Sequence, residues 1–201
     1  MKLKKLLLLC SMSVILAQDH TISQAKSTAA NQQKSQVQDP IQLVLNIGLS
    51  EENRLQMADA LKKLLADNYV VYTKLQQFHW NVEGPLFSEL HAFFQKLYEA
   101  QQLVIDRIAE RIRALGVIAP GSLQEFLATS GIREHAASEL PAMAMVTQLN
   151  NNYETLVQGL RQASETAKKL NDEGTLNMLA DILEQTEKSS WMIRSYMKNV
   201  K

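Results

Sequence analysis

The chain has 201 residues, with 21 basic and 21 acidic side chains, seven Gly, four Pro and one cysteine. That length carries one ordinary domain with a sizeable core, balanced charge offers no global field to attract nucleic acid, and a lone Cys10 excludes an internal disulfide. Few helix breakers among abundant Leu, Ala, Gln, Lys and Glu point to an all-α protein.

Residues 1–17 read as a secretory signal. Lys2, Lys4 and Lys5 precede the apolar run Leu6–Leu16, and Ala17 is a small residue at the expected cleavage point. The run is too short to span a bilayer, and Leu9 before Cys10 argues against lipidation. Removing the three lysines from 21 basic residues leaves 18 against 21 acidic ones, a net charge of −3, and no cysteine. The expected location is periplasmic or exported; a start at Met12 would halve the apolar run and leave the protein cytoplasmic. Residues 18–40 are polar, lack apolar periodicity and read as a flexible arm. Lys26 and Lys34 are offset there by Asp19 and Asp39, so the arm is no basic tail.

The domain proper is expected over residues 41–201. After Pro40 a short apolar turn of helix is expected, then Ser50 as N-cap of a long helix. Leu61, Leu65, Asn68, Tyr72, Leu75 and His79 recur at steps of four and three, one helix face. Gly84-Pro85 ends the segment. A second helix runs from near Ser88 to Gly116 on a stripe of Phe87, Leu90, Phe94, Leu97, Gln101, Val104, Ile108, Ile112 and Leu115. Residues 117–140 form a connector with a short helix at 122–128. Pro141 suits the first turn of a third helix reaching about Leu170. After the turn Asn171–Gly174 a fourth helix continues to about Lys198. Short outer links and a long middle one give a four-helix bundle with one crossover.

The polar residues of the second helix carry the chemistry. His91 and Gln95 are four apart, as are Asp106 and Glu110, and at about 100° per residue all four share one side. Yet His91 and Asp106 are separated by about 22 Å along a straight helix, against a metal–ligand bond of about 2 Å. One copy of the helix cannot close such a site. Two copies packed antiparallel about a two-fold axis bring His91 of one to Asp106 and Glu110 of the other, twice by symmetry. His79, across the Gly-Pro turn, reaches the same place. Histidine with carboxylate suits Fe(II), Mn(II) or Zn(II). The plainer alternative is a hydrogen-bonded or capping histidine, with Asp106 and Glu110 on a solvated face or paired to Arg107 or Arg113.

The run Lys74-Leu-Gln-Gln-Phe-His79-Trp80-Asn-Val-Glu-Gly84-Pro85, then Leu90-His91, then Ile105-Asp106-Arg-Ile-Ala-Glu110-Arg111-Ile-Arg-Ala-Leu-Gly116, closely resembles the Dps family of miniferritins. Asp172-Glu-Gly-Thr175 and Trp191 fit as well, and the resemblance covers roughly residues 41–200. It implies a ferritin-like four-helix bundle assembled as a hollow dodecamer of two-fold dimers. It also implies a ferroxidase that takes Fe(II) to Fe(III), preferably with hydrogen peroxide, stores ferric mineral and protects against oxidative stress. By position, His79 and His91 are the histidine ligands, Asp106 and Glu110 the neighbour's carboxylates, and Trp80 the tryptophan beside the iron. Zn or Mn are alternatives to iron.

One departure stands out. The family usually carries Asp four residues after the second histidine, where this chain has Gln95; Ala92 and Lys96 replace frequent acids. A neutral amide oxygen is a weaker ligand for a dication than a carboxylate. The expectation is one retained metal position, at His79 with the neighbour's Asp106 and Glu110, and a weak second one near His91 and Gln95. Two alternatives to the ferroxidase are a DNA-coating protein, against which the balanced arm and negative mature charge argue, and a cage that binds metal with little turnover because of Gln95. Acidic residues at the turn, Asp172 and Glu173, are candidates for an ion-access pore.

Overall fold

The computed structural model describes residues 45–134, 136 and 139–198. The expected signal and polar arm lie outside the described residues. Five helices form among those described: α1 Glu51–Asn81, α2 Phe87–Ala114, α3 Leu123–Thr129, α4 Ala142–Lys169 and α5 Glu173–Met197. This is the expected all-α bundle with a short helix in its long middle connection.

Each long helix starts or stops on local chemistry. Ser50 Oγ accepts from the Asn53 N–H at 3.2 Å, and Glu51 and Glu52 complement the positive end of α1. Gly84 turns the chain between α1 and α2 at φ +97°, left-handed backbone that suits glycine. Ser122 and Glu125 form a reciprocal capping box at α3. Three expectations are corrected. Residues 45–49 are irregular, with bends at 47–49 and Gly48 at φ +80°, rather than a turn of helix; residues 41–44 lie outside the described residues. Pro141 is the N-cap of α4 rather than a residue of its first turn. Phe87 is 45% exposed, because the first residue of α2 has no preceding turn beneath it to cover it.

The helices pack as two hairpins, α1 with α2 and α4 with α5, joined by α1 on α4 and α2 on α5. Arg54 Nη1 donates to Leu115 O at 2.9 Å, so α2 ends where α1 begins. Val82, Leu90 and Met145 share a core cluster, so α4 begins at the other end, beside the α1–α2 turn. The connector must therefore cross the length of the bundle. It is fastened on the way: Tyr69 of α1 stacks on Phe126 of α3 at 4.2 Å, and buried Asp67 accepts from Ser130 Oγ at 2.8 Å and Gly131 N at 2.7 Å. Lys74 Nζ, buried, donates to Arg133 O and Asn152 Oδ1, both at 2.9 Å, and desolvation pushes its ammonium below the usual lysine range.

The core has two apolar halves, one around Leu61, Ile108, Leu160 and Leu179, the other around Phe78, Phe94, Leu149 and Ile193. A polar layer joins them. Asn68 donates to Leu64 O at 2.6 Å, Gln101 donates to Asn68, and the Tyr153 hydroxyl reaches Gln101 Oε1 at 3.4 Å. This explains two polar residues on otherwise apolar stripes: each finds its partner inside, which offsets the cost of burial.

Candidate metal centre

His79 lies in the last turn of α1 and His91 in the second turn of α2. The Gly84 turn brings them face to face. Their rings stack with centroids 3.7 Å apart and planes at 23°. Each donates to the other's backbone: His79 Nδ1–H to His91 O at 2.8 Å, and His91 Nδ1–H to His79 O at 2.7 Å. A carbonyl only accepts, so each Nδ1 carries the proton. In the neutral rings that leaves each Nε2 with its lone pair free. A carbonyl partner on the non-ligating nitrogen is the usual way a protein orients a metal-binding histidine and fixes its tautomer. His79 is 9% exposed and His91 partly exposed.

The carboxylates are elsewhere. α2 runs unbroken through both His91 and Glu110, which keeps Asp106 about 22 Å from His91. Asp106 and Glu110 are exposed and have no ion-pair partner among the described residues. The two arginines offered as alternative partners are engaged differently: Arg107 pairs with Asp181 at 2.5 Å, and Arg113 donates to Val117 O at 2.9 Å. Within one chain, then, the structure brings the two histidines together and leaves the two acids apart. Among the described residues no three His, Asp or Glu side chains converge on one point.

Gln95 is exposed and donates through Nε2 to Glu99 Oε1 at 2.8 Å. Its carbonyl oxygen is the only ligand atom it retains. Glu99 does not replace the missing acid, since it lies two turns from His91, about 12 Å along the axis. Trp80 is 68% exposed at the end of α1, and Trp191 is 59% exposed.

Two aromatic neighbours of the histidines were not expected there. The Phe87 ring lies 5.0 Å from that of His91, and the Tyr98 ring meets His79 edge to face at 5.4 Å. Tyr98 follows His91 by seven residues, so helical spacing alone places it on the same face. The suggested pore role of Asp172 is corrected. Asp172 is 3% exposed, caps α5 by accepting from Thr175 N at 2.9 Å, and pairs with Arg111 Nη2 at 2.6 Å. A carboxylate so occupied faces no channel; Glu173 beside it is exposed.

The profile of the ferritin-like domain matches residues 58–201. DNA protection during starvation protein 2 of Bacillus anthracis is 39% identical over 142 residues, 71% of this chain and 97% of that protein. A low temperature-induced protein of Nostoc is 36% identical over 155 residues, 77% of this chain and 87% of that one. The crystal structure of the Dps protein of Vibrio cholerae O1, described as a member of a broad superfamily of ferritin-like diiron-carboxylate proteins, superposes with a TM-score of 0.74 at 32% identity. It covers 80% of this chain and 100% of its own. With its crossover bundle and paired histidines, this chain belongs to the Dps family of ferritin-like proteins.

Proposed function

We propose that this protein is a miniferritin that oxidises Fe(II) with hydrogen peroxide at sites shared between two subunits and stores the ferric product in a dodecameric shell. The observation that carries this reading is the reciprocal Nδ1–H to carbonyl pair, which leaves the Nε2 of each of the two stacked rings free to take a metal ion. Iron is the substrate. His79 binds and orients it, and the neighbour's Asp106 and Glu110 supply the negative charge that favours the ferric product over the ferrous reactant. Trp80 is exposed within the subunit; in this reading the docked neighbour covers it and it intercepts oxidising by-products. Stopped-flow absorbance of ferric product after mixing Fe(II)-loaded protein with peroxide tests the reading; a protein that binds Fe(II) without turnover would instead be a passive cage.

Gln95 sets the occupancy of the pair. Its amide offers one neutral oxygen, and its NH2 is held by Glu99. Replacing it with aspartate restores a charged ligand one turn after His91. Anaerobic Fe(II) titration of Gln95→Asp is expected to show a second tightly bound ion per subunit that the native chain lacks. Identical stoichiometry in the two proteins would sink this account of Gln95.

Export behind the 1–17 segment belongs to the same proposal. Mass spectrometry of the N-terminus is expected to find Gln18 as the first residue, and an intact Met1 or a Met12 start defeats it.

A further inference from the structure

The Tyr98 ring touches the His79 ring edge to face, with centroids 5.4 Å apart and planes at 76°. On its other side Tyr98 meets Tyr72 of α1 at 6.2 Å and 86°. Tyr72 in turn meets Tyr69 at 6.1 Å and 70°. Three of the chain's five tyrosines thus form one contact series. It begins at an iron-site histidine and runs back along α1. All three are partly buried, as a redox relay needs: shielded enough to persist, open enough to exchange a proton with solvent. Gln76 Nε2 donates to the Tyr72 hydroxyl at 3.0 Å and fixes that ring in the series. Trp80 has no ring contact with either histidine among the described residues of one subunit.

We propose that Tyr98 is a redox-active residue that gives the second electron when a single bound Fe(II) meets hydrogen peroxide, with Tyr72 and Tyr69 as the onward relay. The proposal rests on the peroxide-driven oxidation of Fe(II) proposed above. Peroxide needs two electrons to become water, and one Fe(II) supplies one. A one-electron cleavage would release a hydroxyl radical. Gln95 leaves a single strong iron position, so the partner electron that a second iron would give is missing. Tyr98 is the oxidisable group packed on the ligand. In the balanced step the peroxide O–O bond breaks, and Fe(II) and the Tyr98 phenol each lose one electron. The phenol proton and one solvent proton complete two water molecules. The products are Fe(III), a neutral tyrosyl radical and water. A later Fe(II), with one solvent proton, returns the radical to phenol and becomes the second Fe(III). The sum is two Fe(II) oxidised per peroxide, with no free hydroxyl radical.

The test is freeze-quench electron paramagnetic resonance on the assembled protein, loaded anaerobically with one Fe(II) per subunit and mixed with peroxide. The native protein is expected to show a tyrosyl radical whose hyperfine pattern changes on ring-deuterated tyrosine. Tyr98→Phe, with Fe(II) binding intact, is expected to lose that early radical and to release hydroxyl radical to a spin trap. Gln95→Asp is expected to weaken the radical, because a second iron now supplies the electron. A radical of full intensity in Tyr98→Phe, or Fe(II) oxidation in the native protein with no radical, overturns the relay. The deuterium arm needs no substitution, so the result does not depend on the variant's folding. Failure of the native protein to oxidise Fe(II) with peroxide is a different outcome: it removes the proposed function, and the relay with it.

Discussion

Subunits carrying His79→Ala and His91→Ala, and subunits carrying Asp106→Ala and Glu110→Ala, are each expected to lose peroxide-driven Fe(II) oxidation as pure assemblies, and to regain part of it when unfolded together and reassembled. In the proposed shared arrangement each site needs the histidines of one chain and the acids of the other. A mixed two-fold dimer therefore holds one complete site and one with no ligands. Random pairing at equal amounts restores about a quarter of the sites. Stopped-flow ferric absorbance per subunit reads the recovery directly. Independent sites within single chains would give no recovery at any mixing ratio, and that outcome would end the shared-site account. The distance behind it is robust: α2 is one continuous helix of 28 residues, and no rotamer change spans about 22 Å.

The second large effect concerns stability. Arg111, in the last turn of α2, donates Nη2 to Asp172 and Nε to the Thr175 hydroxyl at 2.7 Å, while that hydroxyl donates back to Asp172. The Asp172 side chain is 2% exposed and that of Arg111 22%. Arg111→Ala leaves a buried carboxylate without its cation and is expected to cost about 3 kcal/mol, toward the low end for breaking a buried pair because Arg111 is partly solvated. The Arg107–Asp181 pair is shorter at 2.5 Å but exposed on both sides, and Arg107→Ala is expected to cost far less, because solvent and salt screen such a pair. Urea unfolding midpoints of the two variants, measured side by side, check the ranking; equal losses would show that burial is not the deciding factor. The Arg111 pair also holds the end of α2 against the start of α5, which fixes the rotation of the helix turn bearing Glu110.

Most of the architecture could be read from the chain. Ser50 announced its helix because a hydroxyl before a helical run has one good use, capping free N–H groups, whereas Ser122, expected as the first residue of the short helix, turned out to be its cap. The stripes through Leu61–Leu75 and Leu90–Leu115 followed from the 3.6-residue period, since burying one face is what holds such helices to a bundle. Asn68 and Gln101 fitted those stripes without explanation until they were found bonded to each other across α1 and α2. Phe87 failed because periodicity knows nothing of helix ends. Asp172 failed for a related reason: a carboxylate in a Gly-containing turn looks exposed, and its partner Arg111 lies 61 residues away.

The candidate centre divides in the same way. The sequence by itself determined that two histidines flank a Gly-Pro turn, that two acids follow far along the same helix, that Gln95 stands where an acid is usual, and that one chain cannot close the site. Spacing along a rigid helix is enough to separate the acids from the histidines within one chain; that an acid is usual at Gln95 comes from the resemblance to the Dps family. Only the tertiary structure decided that each histidine donates Nδ1–H to the other's carbonyl, leaving both Nε2 atoms available. It likewise decided that Tyr98 packs on His79 and that Asp67 and Lys74 fasten the crossing connector at Gly131 and Arg133. These depend on ring rotation, proton position and loop path. A period of hydrophobic residues says which way a side chain faces, but the particular atom it meets is fixed only when separate helices are packed together.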